Sequence, residues 1–190
     1  MIDLILLAAG ASRRFGSQKL LADFQGKPLY RYAFQAARET ADAMQGLRVI
    51  VVTRAGLLDD AIREFSFNKV LVADDLPLSQ SVAAGCRAAR PGSSRCFLVC
   101  DQPGLTGELL TGFLRDYLLS GRPLGRVHAG EQMGSPCIFS PIFIPQLLSL
   151  TGDEGGRTIF QGRERETFLY EVPAQAIQDY DTPWQTEPEA

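Results

Sequence analysis

The sequence predicts an α/β fold, a Rossmann-like three-layer sandwich whose central sheet is mostly parallel but mixed. Short apolar runs rich in β-branched residues alternate with longer segments whose apolar residues recur at helical spacing. The runs are apolar at nearly every position, as in strands that are covered on both faces. With 190 residues, 45% of them hydrophobic, the chain has the size of one domain that can bury a core without disulfides or a structural metal.

Four strands and several helices are predicted in the first half of the chain. The strands are the apolar runs from Ile2 to Ala8, Arg48 to Thr53, Lys69 to Val72 and Cys96 to Cys100. Apolar stripes at helical spacing run from Tyr30 to Ala41 and from Leu57 to Phe65, and a further helix starts near Leu78. Strands joined in this way pair in parallel, and ligands of such sheets bind at the carboxyl ends of the strands.

The second half is less regular. Its predicted elements are a helix from Thr106 to Leu119, strands from Leu124 to His128 and Cys137 to Phe139, a helix from Pro141 to Leu150 and a last strand from Thr167 to Val172. Two closely spaced strands without a helix between them indicate a mixed sheet.

Composition excludes several classes of function. The formal charge is −3 and the 19 lysines and arginines are scattered, so we expect no nucleic acid partner. No apolar run reaches the ~20 residues of a membrane span, and the start Met1-Ile2-Asp3 lacks the basic region of a signal peptide, so we expect a cytoplasmic protein without membrane contact. Four cysteines without a Cys-x-x-Cys pair and the single His128 predict no zinc site and reduced, buried thiols.

The first apolar run leads into a segment that suits an anion. Ala8-Ala9-Gly10-Ala11-Ser12 lets the backbone approach a ligand, and the cations Arg13, Arg14 and Lys19 follow. Backbone N–H groups, an arginine fork and a lysine ammonium are the groups that bind phosphates. Neither a Gly-Lys-Ser/Thr end nor a second glycine two residues after Gly10 is present, which excludes the P-loop and dinucleotide signatures. Alternatively, the glycines only turn the chain and the cations are solvated.

Asp101 follows the fourth apolar run, in Cys100-Asp101-Gln102-Pro103. A carboxylate at the carboxyl edge of a sheet suits Mg²⁺, which takes one or two carboxylates and completes its shell with water and phosphate oxygens. The alternative is a cap for the helix near Thr106, although Thr106 can cap that helix itself.

Near the carboxyl end, Asp179 and Asp181 lie in Asp179-Tyr180-Asp181-Thr182-Pro183. One of them can complete the metal site, but Asp181 can equally cap a helix entered at Pro183. Ser79 and Ser81 begin another predicted helix, whose positive end suits an anion or a nucleobase edge, and Ser79 can alternatively act as a plain N-cap.

Two glycine-containing segments of the second half are predicted to be flexible and suited to substrate contact. They are Gly134-Ser135-Pro136 and the loop from Gly152 to Arg157, whose arginine can bind a phosphate. A mobile loop without chemistry is the alternative for residues 152–157. His128 has no identifiable partner and is predicted to be a packing or surface residue rather than a base.

The string Leu7-Ala8-Ala9-Gly10-x-Ser12-x-Arg14-x-Gly16-x-x-Lys19 resembles the signature of the molybdenum-cofactor nucleotidyltransferases, and the cytidylyltransferase branch in particular. The resemblance runs from Leu6 to Pro183 and implies a fold of the nucleotide-diphospho-sugar transferase type. It implies catalytic roles for Lys19, Arg14 and Asp101. The nucleotide contacts that it implies are Leu7, Ala8, Ala9, Gly10, Ala11, Ser12, Arg14, Lys19, Ser79 and Ser81.

The same resemblance assigns the metal and the acceptor. Asp101 and Asp181 would hold Mg²⁺, with Asp181 favoured over Asp179. Gly134, Ser135, Pro136 and Arg157 would border the acceptor. Residues 1–190 would then form one nucleotidyltransferase domain, with a nucleotide-binding half of about 1–103 and an acceptor-binding half of about 104–185.

By this resemblance the enzyme transfers CMP from CTP to the molybdenum-pterin cofactor and releases pyrophosphate, with transient contact to a molybdenum hydroxylase apoenzyme. Ala9 favours the cytidylyl branch, because guanylyltransferase relatives carry glycine there. Three alternatives remain: guanylyl transfer to the same pterin, transfer to a sugar or polyol phosphate, and a non-catalytic carrier of the molybdenum cofactor.

Overall fold

The computed structural model describes residues 1–10, 15–16 and 18–180. The strands are β1 (Ile2–Ala8), β2 (Asp23–Phe24), β3 (Lys27–Pro28), β4 (Arg48–Arg54), β5 (Asn68–Val72), β6 (Ser94–Val99), β7 (Leu124–Ala129), β8 (Gln132–Phe139) and β9 (Thr167–Glu171). The α-helices are α1 (Tyr30–Ala43), α2 (Asp59–Glu64), α3 (Leu78–Ala88), α4 (Gly107–Ser120) and α5 (Ile144–Leu148). Short 3₁₀ helices span Lys19–Leu21, Pro141–Phe143, Gly156–Phe160, Glu164–Glu166 and Ala174–Ile177.

Seven strands form the central sheet, in the order β5-β4-β1-β6-β8-β7-β9. All neighbours pair in parallel except β8, which is antiparallel to both β6 and β7. The predicted fold class is therefore confirmed. The chain winds outward from β1 through β4 to β5 and then crosses to β6 on the other side of β1. The carboxyl ends of β1 and β6 thus form the point at which such sheets bind ligands.

The alternating side chains of the central strands explain the three layers. Leu4 and Leu6 point to one face of the sheet and share a core cluster with Phe113 of α4. Ile5 points to the other face and packs in a second cluster with Val82 of α3. Helices α1 and α4 pack together over the first face, and α3 and α5 over the second. Strands buried on both faces are apolar throughout, as the sequence predicts.

The segment Gly134–Pro136 corrects one prediction. It is not a flexible turn before a strand but lies inside β8, which begins at Gln132 rather than at Cys137. Pro136 lacks an N–H to donate to a neighbouring strand, and proline is tolerated in a sheet where the pairing is interrupted. Such an interruption occurs here, because the register between β7 and β8 shifts between the pairs Arg126–Cys137 and His128–Met133. The Ser135–Pro136 peptide bond is cis.

Two helix predictions have a clear outcome. The hydroxyl of Thr106 accepts a hydrogen bond from the Leu109 N–H at 3.3 Å, so Thr106 caps α4 and Asp101 is not needed there. The predicted helix over 141–150 is shorter and consists of the 3₁₀ turn Pro141–Phe143 followed by α5. In the described part of the chain no helix is long and apolar enough to cross a bilayer.

A buried charge network closes the amino edge of the sheet. The carboxylate of Asp3 is fully buried and accepts hydrogen bonds from the Arg90 backbone N–H at 2.6 Å, the Arg90 Nε at 2.8 Å and the Ser93 hydroxyl at 2.7 Å. Burial alone raises the pKa of Asp3, but the hydrogen bonds from Arg90 and Ser93 together lower it below its ordinary value. The carboxylate is therefore held ionised and ties β1 to the turn before β6.

We predict that Asp3→Asn lowers the free energy of unfolding by about 2–3 kcal/mol, because charge-assisted bonds to a buried group are lost. The stabilisation from Asp3 is fully present above the unfolded-state pKa of about 3.9 and is lost as the pH falls through the lower folded-state pKa. The free energy of unfolding, measured with denaturant between about pH 2 and 7, should therefore fall less steeply with decreasing pH in the variant than in the parent protein.

Asp42→Asn is the control, because the Arg38–Asp42 pair is exposed on α1. It should change the free energy of unfolding by less than about 0.5 kcal/mol. An equal loss in both variants would contradict the special role of Asp3.

Candidate active site

A cleft of about 760 Å³ opens at the carboxyl edge of the central strands. Its walls come from the ends of β1 and β6, the start of α3, the first half of β8 and the segments 153–158 and 177–179. The predicted site residues that line it are Leu7, Asp101, Gly134, Ser135 and Arg157, and Asp179 lines it as well. The cleft therefore joins residues predicted for the nucleotide, the metal and the acceptor.

Lys19 and Asp101 meet at this edge. The ammonium Nζ of Lys19 lies 2.6 Å from Oδ2 of Asp101, and the two side chains are only 11% and 20% exposed. Lys19 is placed by the 3₁₀ turn Lys19–Leu21, where Leu20 is buried in the core and fixes the turn. The segment after β1 thus returns to the end of β6, as a shared site for the two motifs requires.

The second oxygen of Asp101 has the character of a metal ligand. Oδ1 is buried and has no hydrogen-bond partner within residues 1–10, 15–16 and 18–180. A buried carboxylate oxygen without a partner is costly in a folded protein unless an ion or water satisfies it. A hard oxygen at this position fits a divalent cation of the Mg²⁺ type.

Gln102 places a second carboxylate at the cleft. Its buried side-chain amide donates to the Ile177 carbonyl at 3.3 Å and to Oδ1 of Asp179 at 2.8 Å. Asp181, the favoured second ligand in the sequence analysis, lies outside the described residues. Among the residues described, no three His, Cys, Asp or Glu side chains form a metal-binding group. Two carboxylates are nevertheless what Mg²⁺ typically takes from a protein.

Two glycines allow the segment around Ile177 to approach the cleft. A Cβ on Gly104 would lie 2.1 Å from the Gln175 carbonyl oxygen, and one on Gly134 would lie 2.4 Å from Cγ2 of Ile177. Any side chain at either position would push this segment away. Gly134 therefore has a packing function in addition to its predicted place beside the acceptor.

The nucleotide loop is described only in part. Leu7 lines the cleft, Ala8 is buried, Ala9 is half-buried and Gly10 is exposed. The predicted contacts Ala11, Ser12 and Arg14 lie outside the described residues. Arg54, at the end of β4, was not predicted: its guanidinium lies 3.5 Å from the Gly10 carbonyl and 3.4 Å from Asp74. In the sequence, this contact could have been inferred from the position of Arg54 at the end of the strand predicted beside β1.

Ser79 and Ser81 are both buried, and the neighbouring Leu78 and Val82 line the cleft in their place. Pro77 rather than Ser79 occupies the N-cap position of α3. The first N–H groups of the helix are bound by the loop at 152–153: Leu78 N–H to Oδ1 of Asp153 at 3.4 Å and Ser79 N–H to the Gly152 carbonyl at 3.2 Å. Nucleotide contact by the two serines stays a prediction.

Thiol chemistry does not contribute to the cleft. All four cysteines are free, and Cys86, Cys96 and Cys100 are buried; that the thiols are reduced stays a prediction. Cys137 lines the cleft, but burial raises the pKa of its thiol to about 11. A thiol of that pKa is protonated at neutral pH and is a poor nucleophile.

Comparison with known protein families decides the class. Residues 4–167 match the MobA-like NTP transferase domain. The chain belongs to this family. The match covers β1 through the start of β9, so it includes both the Lys19 segment and Asp101. It confirms the predicted nucleotidyltransferase class.

Relatives of this MobA-like domain agree with the assignment. A probable molybdenum cofactor guanylyltransferase of Bacillus licheniformis is 30% identical over 118 residues, which are 58% of this chain and 54% of that protein. The match thus spans about half the length of the curated relative.

Solved structures share the fold across nearly the whole chain. Rv0371c from Mycobacterium tuberculosis is 20% identical with a TM-score of 0.77, over 95% of this chain and 93% of that one. Its complex with manganese is 18% identical with a TM-score of 0.71, and the match covers 91% of this chain and 89% of that one. A nucleotidyl transferase from Methanothermobacter is 23% identical with a TM-score of 0.71, and the match covers 92% of this chain and 87% of that one.

We predict that Gln102→Leu in this MobA-like domain frees the segment that carries Asp179. The variant keeps roughly the same side-chain volume but removes the hydrogen bonds from Gln102 to the Ile177 carbonyl and Asp179. We expect the free energy of unfolding to fall by about 1–3 kcal/mol. Hydrogen exchange at residues 174–179 should accelerate more than in the central strands. Gln178→Leu, an exposed change in the same segment, is the control, and equal exchange in the two variants would argue against the anchoring role of Gln102.

Proposed function

We propose that this protein transfers CMP from CTP to the molybdenum-pterin cofactor, with release of pyrophosphate and dependence on Mg²⁺. The observation that carries the proposal is the contact between Lys19 and Asp101, whose Oδ1 has no hydrogen-bond partner among the described residues. A carboxylate for a metal lines a cleft of about 760 Å³, and a cation for phosphate is in direct contact with that carboxylate. This is the minimal equipment for attack on an α-phosphorus.

The residues of the chain provide binding and charge. In the proposed reaction a phosphate oxygen of the acceptor attacks the α-phosphorus in line, a new P–O bond forms, and the bond to the β-phosphate oxygen breaks. Lys19 neutralises charge that develops on the phosphates as pyrophosphate leaves. The attacking phosphate is already anionic at neutral pH, so no general base is needed. In this reading, Leu7 to Gly10 contact the nucleotide.

Asp101 and Asp179 are the described carboxylates that would hold the metal, and Asp181 stays a predicted ligand. The bound ion supplies Lewis-acid stabilisation of the reacting phosphoryl oxygens. The manganese complex of Rv0371c supports a divalent cation in this fold. We favour Mg²⁺ because carboxylate and phosphate oxygens are its preferred ligands.

GTP is the second candidate donor. The motif Leu7-Ala8-Ala9-Gly10 supports CTP by its resemblance to the cytidylyl branch, whereas the relative from Bacillus licheniformis is named a probable guanylyltransferase. The molybdenum-pterin acceptor rests on that relative and on the same resemblance, with Gly134 to Pro136 and Arg157 at the acceptor side. Transient contact with a hydroxylase apoenzyme, a cytoplasmic location and the division near residue 103 stay predictions.

We predict that Lys19→Gln and Asp101→Asn each lower the rate of pyrophosphate release by roughly 10²–10³-fold, the cost of losing one charge-stabilising group in a transition state. Chelation of divalent cations should abolish turnover of the parent protein. Lys69→Gln is the matched control, because Lys69 forms a half-exposed pair with Asp59 outside the cleft. Thermal unfolding of each variant separates lost chemistry from lost folding. Full activity of folded Asp101→Asn would contradict the proposal.

We predict that Ala9→Gly shifts the donor preference towards GTP, because the half-buried methyl group at the loop is removed. The measurement is the ratio of kcat/KM for CTP and GTP in direct competition with Mg²⁺. Ala55→Gly, an exposed alanine after β4, should leave this ratio unchanged. If the parent protein uses only GTP, the proposed donor is GTP instead of CTP, and the proposal of nucleotidyl transfer itself still stands.

A further inference from the structure

A second chamber adjoins the cleft on the side away from Lys19. It has a volume of about 430 Å³, and its boundary with the cleft consists of Arg126, Met133 and Arg157, which line both spaces. Phe160 and Leu169 provide further apolar wall. A molecule that reaches Asp101 through the cleft can therefore extend into the chamber past two guanidinium groups.

These two guanidinium groups lack the carboxylate partners that five other arginines of the described residues have. Arg31, Arg38, Arg54, Arg63 and Arg90 each form an ion pair with a carboxylate. Within the described parts of the chain, neither Arg126 nor Arg157 forms one, although Glu164 also lines the chamber. Two cations that line the same cavity wall, neither of them in an ion pair within the described residues, attract an anion.

The position of Arg126 is fixed by the sheet and by an aromatic neighbour. It lies in β7, paired with Cys137 of β8 and Leu169 of β9. Its guanidinium carbon lies 4.8 Å from the centre of the Phe160 ring, so one face of the group is supported by an aromatic side chain. Its Nε is buried and has no hydrogen-bond partner in the same described residues. A buried N–H donor without a partner costs stability, which a ligand at this site would offset.

We propose that Arg126, together with Arg157, binds an anionic group of the acceptor that is distinct from the phosphate attacking the α-phosphorus. The apolar walls formed by Met133, Phe160 and Leu169 suit an acceptor whose body is apolar or planar. Arg126 is thus an acceptor-binding residue that no sequence motif indicates. The inference rests on the proposed nucleotidyl transfer and adds how the acceptor is held.

The decisive variant is Arg126→Met, which keeps an unbranched stem against Phe160 and removes the charge. With the molybdenum-pterin cofactor as acceptor and saturating nucleoside triphosphate, we expect the KM for the acceptor to rise roughly 10- to 100-fold, the usual effect of losing a charge-assisted hydrogen bond. The KM for the triphosphate should change less than about twofold, because the chamber lies beyond the nucleotide side. Arg157→Met should act in the same direction.

Arg165→Met is the matched control, because Arg165 is exposed on the 3₁₀ helix Glu164–Glu166 and does not line the chamber. Arg126→Lys keeps the charge but not the fork, and we expect an acceptor KM between those of the parent and Arg126→Met. An unchanged acceptor KM in folded Arg126→Met, or an equal rise in the KM for the triphosphate, would overturn the proposal.

A second measurement does not depend on turnover. In protein labelled with ¹⁵N-arginine and free of nucleotide, inorganic phosphate should shift the Nε–H resonance of Arg126, identified by its loss in Arg126→Met, and not that of Arg165. If this shift occurs while the pterin is not an acceptor, the anion site stands and the proposed acceptor fails. If the parent transfers nucleotide to the pterin but phosphate leaves the Arg126 resonance unmoved and Arg126→Met keeps its acceptor KM, the proposed function stands and the anion site fails.

Discussion

The ion pair between Lys19 and Asp101 is the constraint on which the site depends. A buried ammonium without a partner is strongly unfavourable, so the segment after β1 must return to the end of β6 for Lys19 to be buried at all. The same requirement is compatible with the proposed catalysis. In the proposed reaction the negative charges of a triphosphate would replace Asp101 as the partner of Lys19, and a divalent cation would replace Lys19 as the partner of Asp101. The local charges would then be balanced with and without substrate.

Parallel pairing is what brings these two residues together, and it could be predicted. β1 pairs with β6 so that Leu7 lies opposite Val99, and the residues that follow both strands emerge at one edge. The apolar runs that define these strands are local features of the sequence, and the rule that ligands bind at carboxyl ends needs no further information. The fold class, the four first-half strands of the central sheet and the meeting of Lys19 with Asp101 were accessible for this reason, whereas the separate two-residue strands β2 and β3 were not predicted.

Other parts of the site depend on contacts that no local pattern encodes. Gly134-Ser135-Pro136 has the composition of a turn, yet it lies in β8, because the interrupted pairing with β7 tolerates a residue without an N–H. Gln102 positions Asp179 because its amide donates hydrogen bonds to the Ile177 carbonyl and to Asp179, which are distant from it in the sequence. Arg126 is a single cation in a short strand, and its neighbour Phe160 belongs to a 3₁₀ turn that periodicity does not predict. In each case tertiary packing decides.

The antiparallel direction of β8 links the two halves of the site. Because β8 runs against β6 and β7, its beginning lies at the edge where those strands end. Residues Gln132 to Ser135 therefore line the cleft with Asp101, and the Ser135 hydroxyl accepts the Val99 N–H at 3.4 Å. A parallel strand in this position would have brought its opposite end to the cleft and left Met133 away from the second chamber. The mixed sheet is thus the feature that brings the proposed acceptor side of the cleft to the proposed nucleotide side.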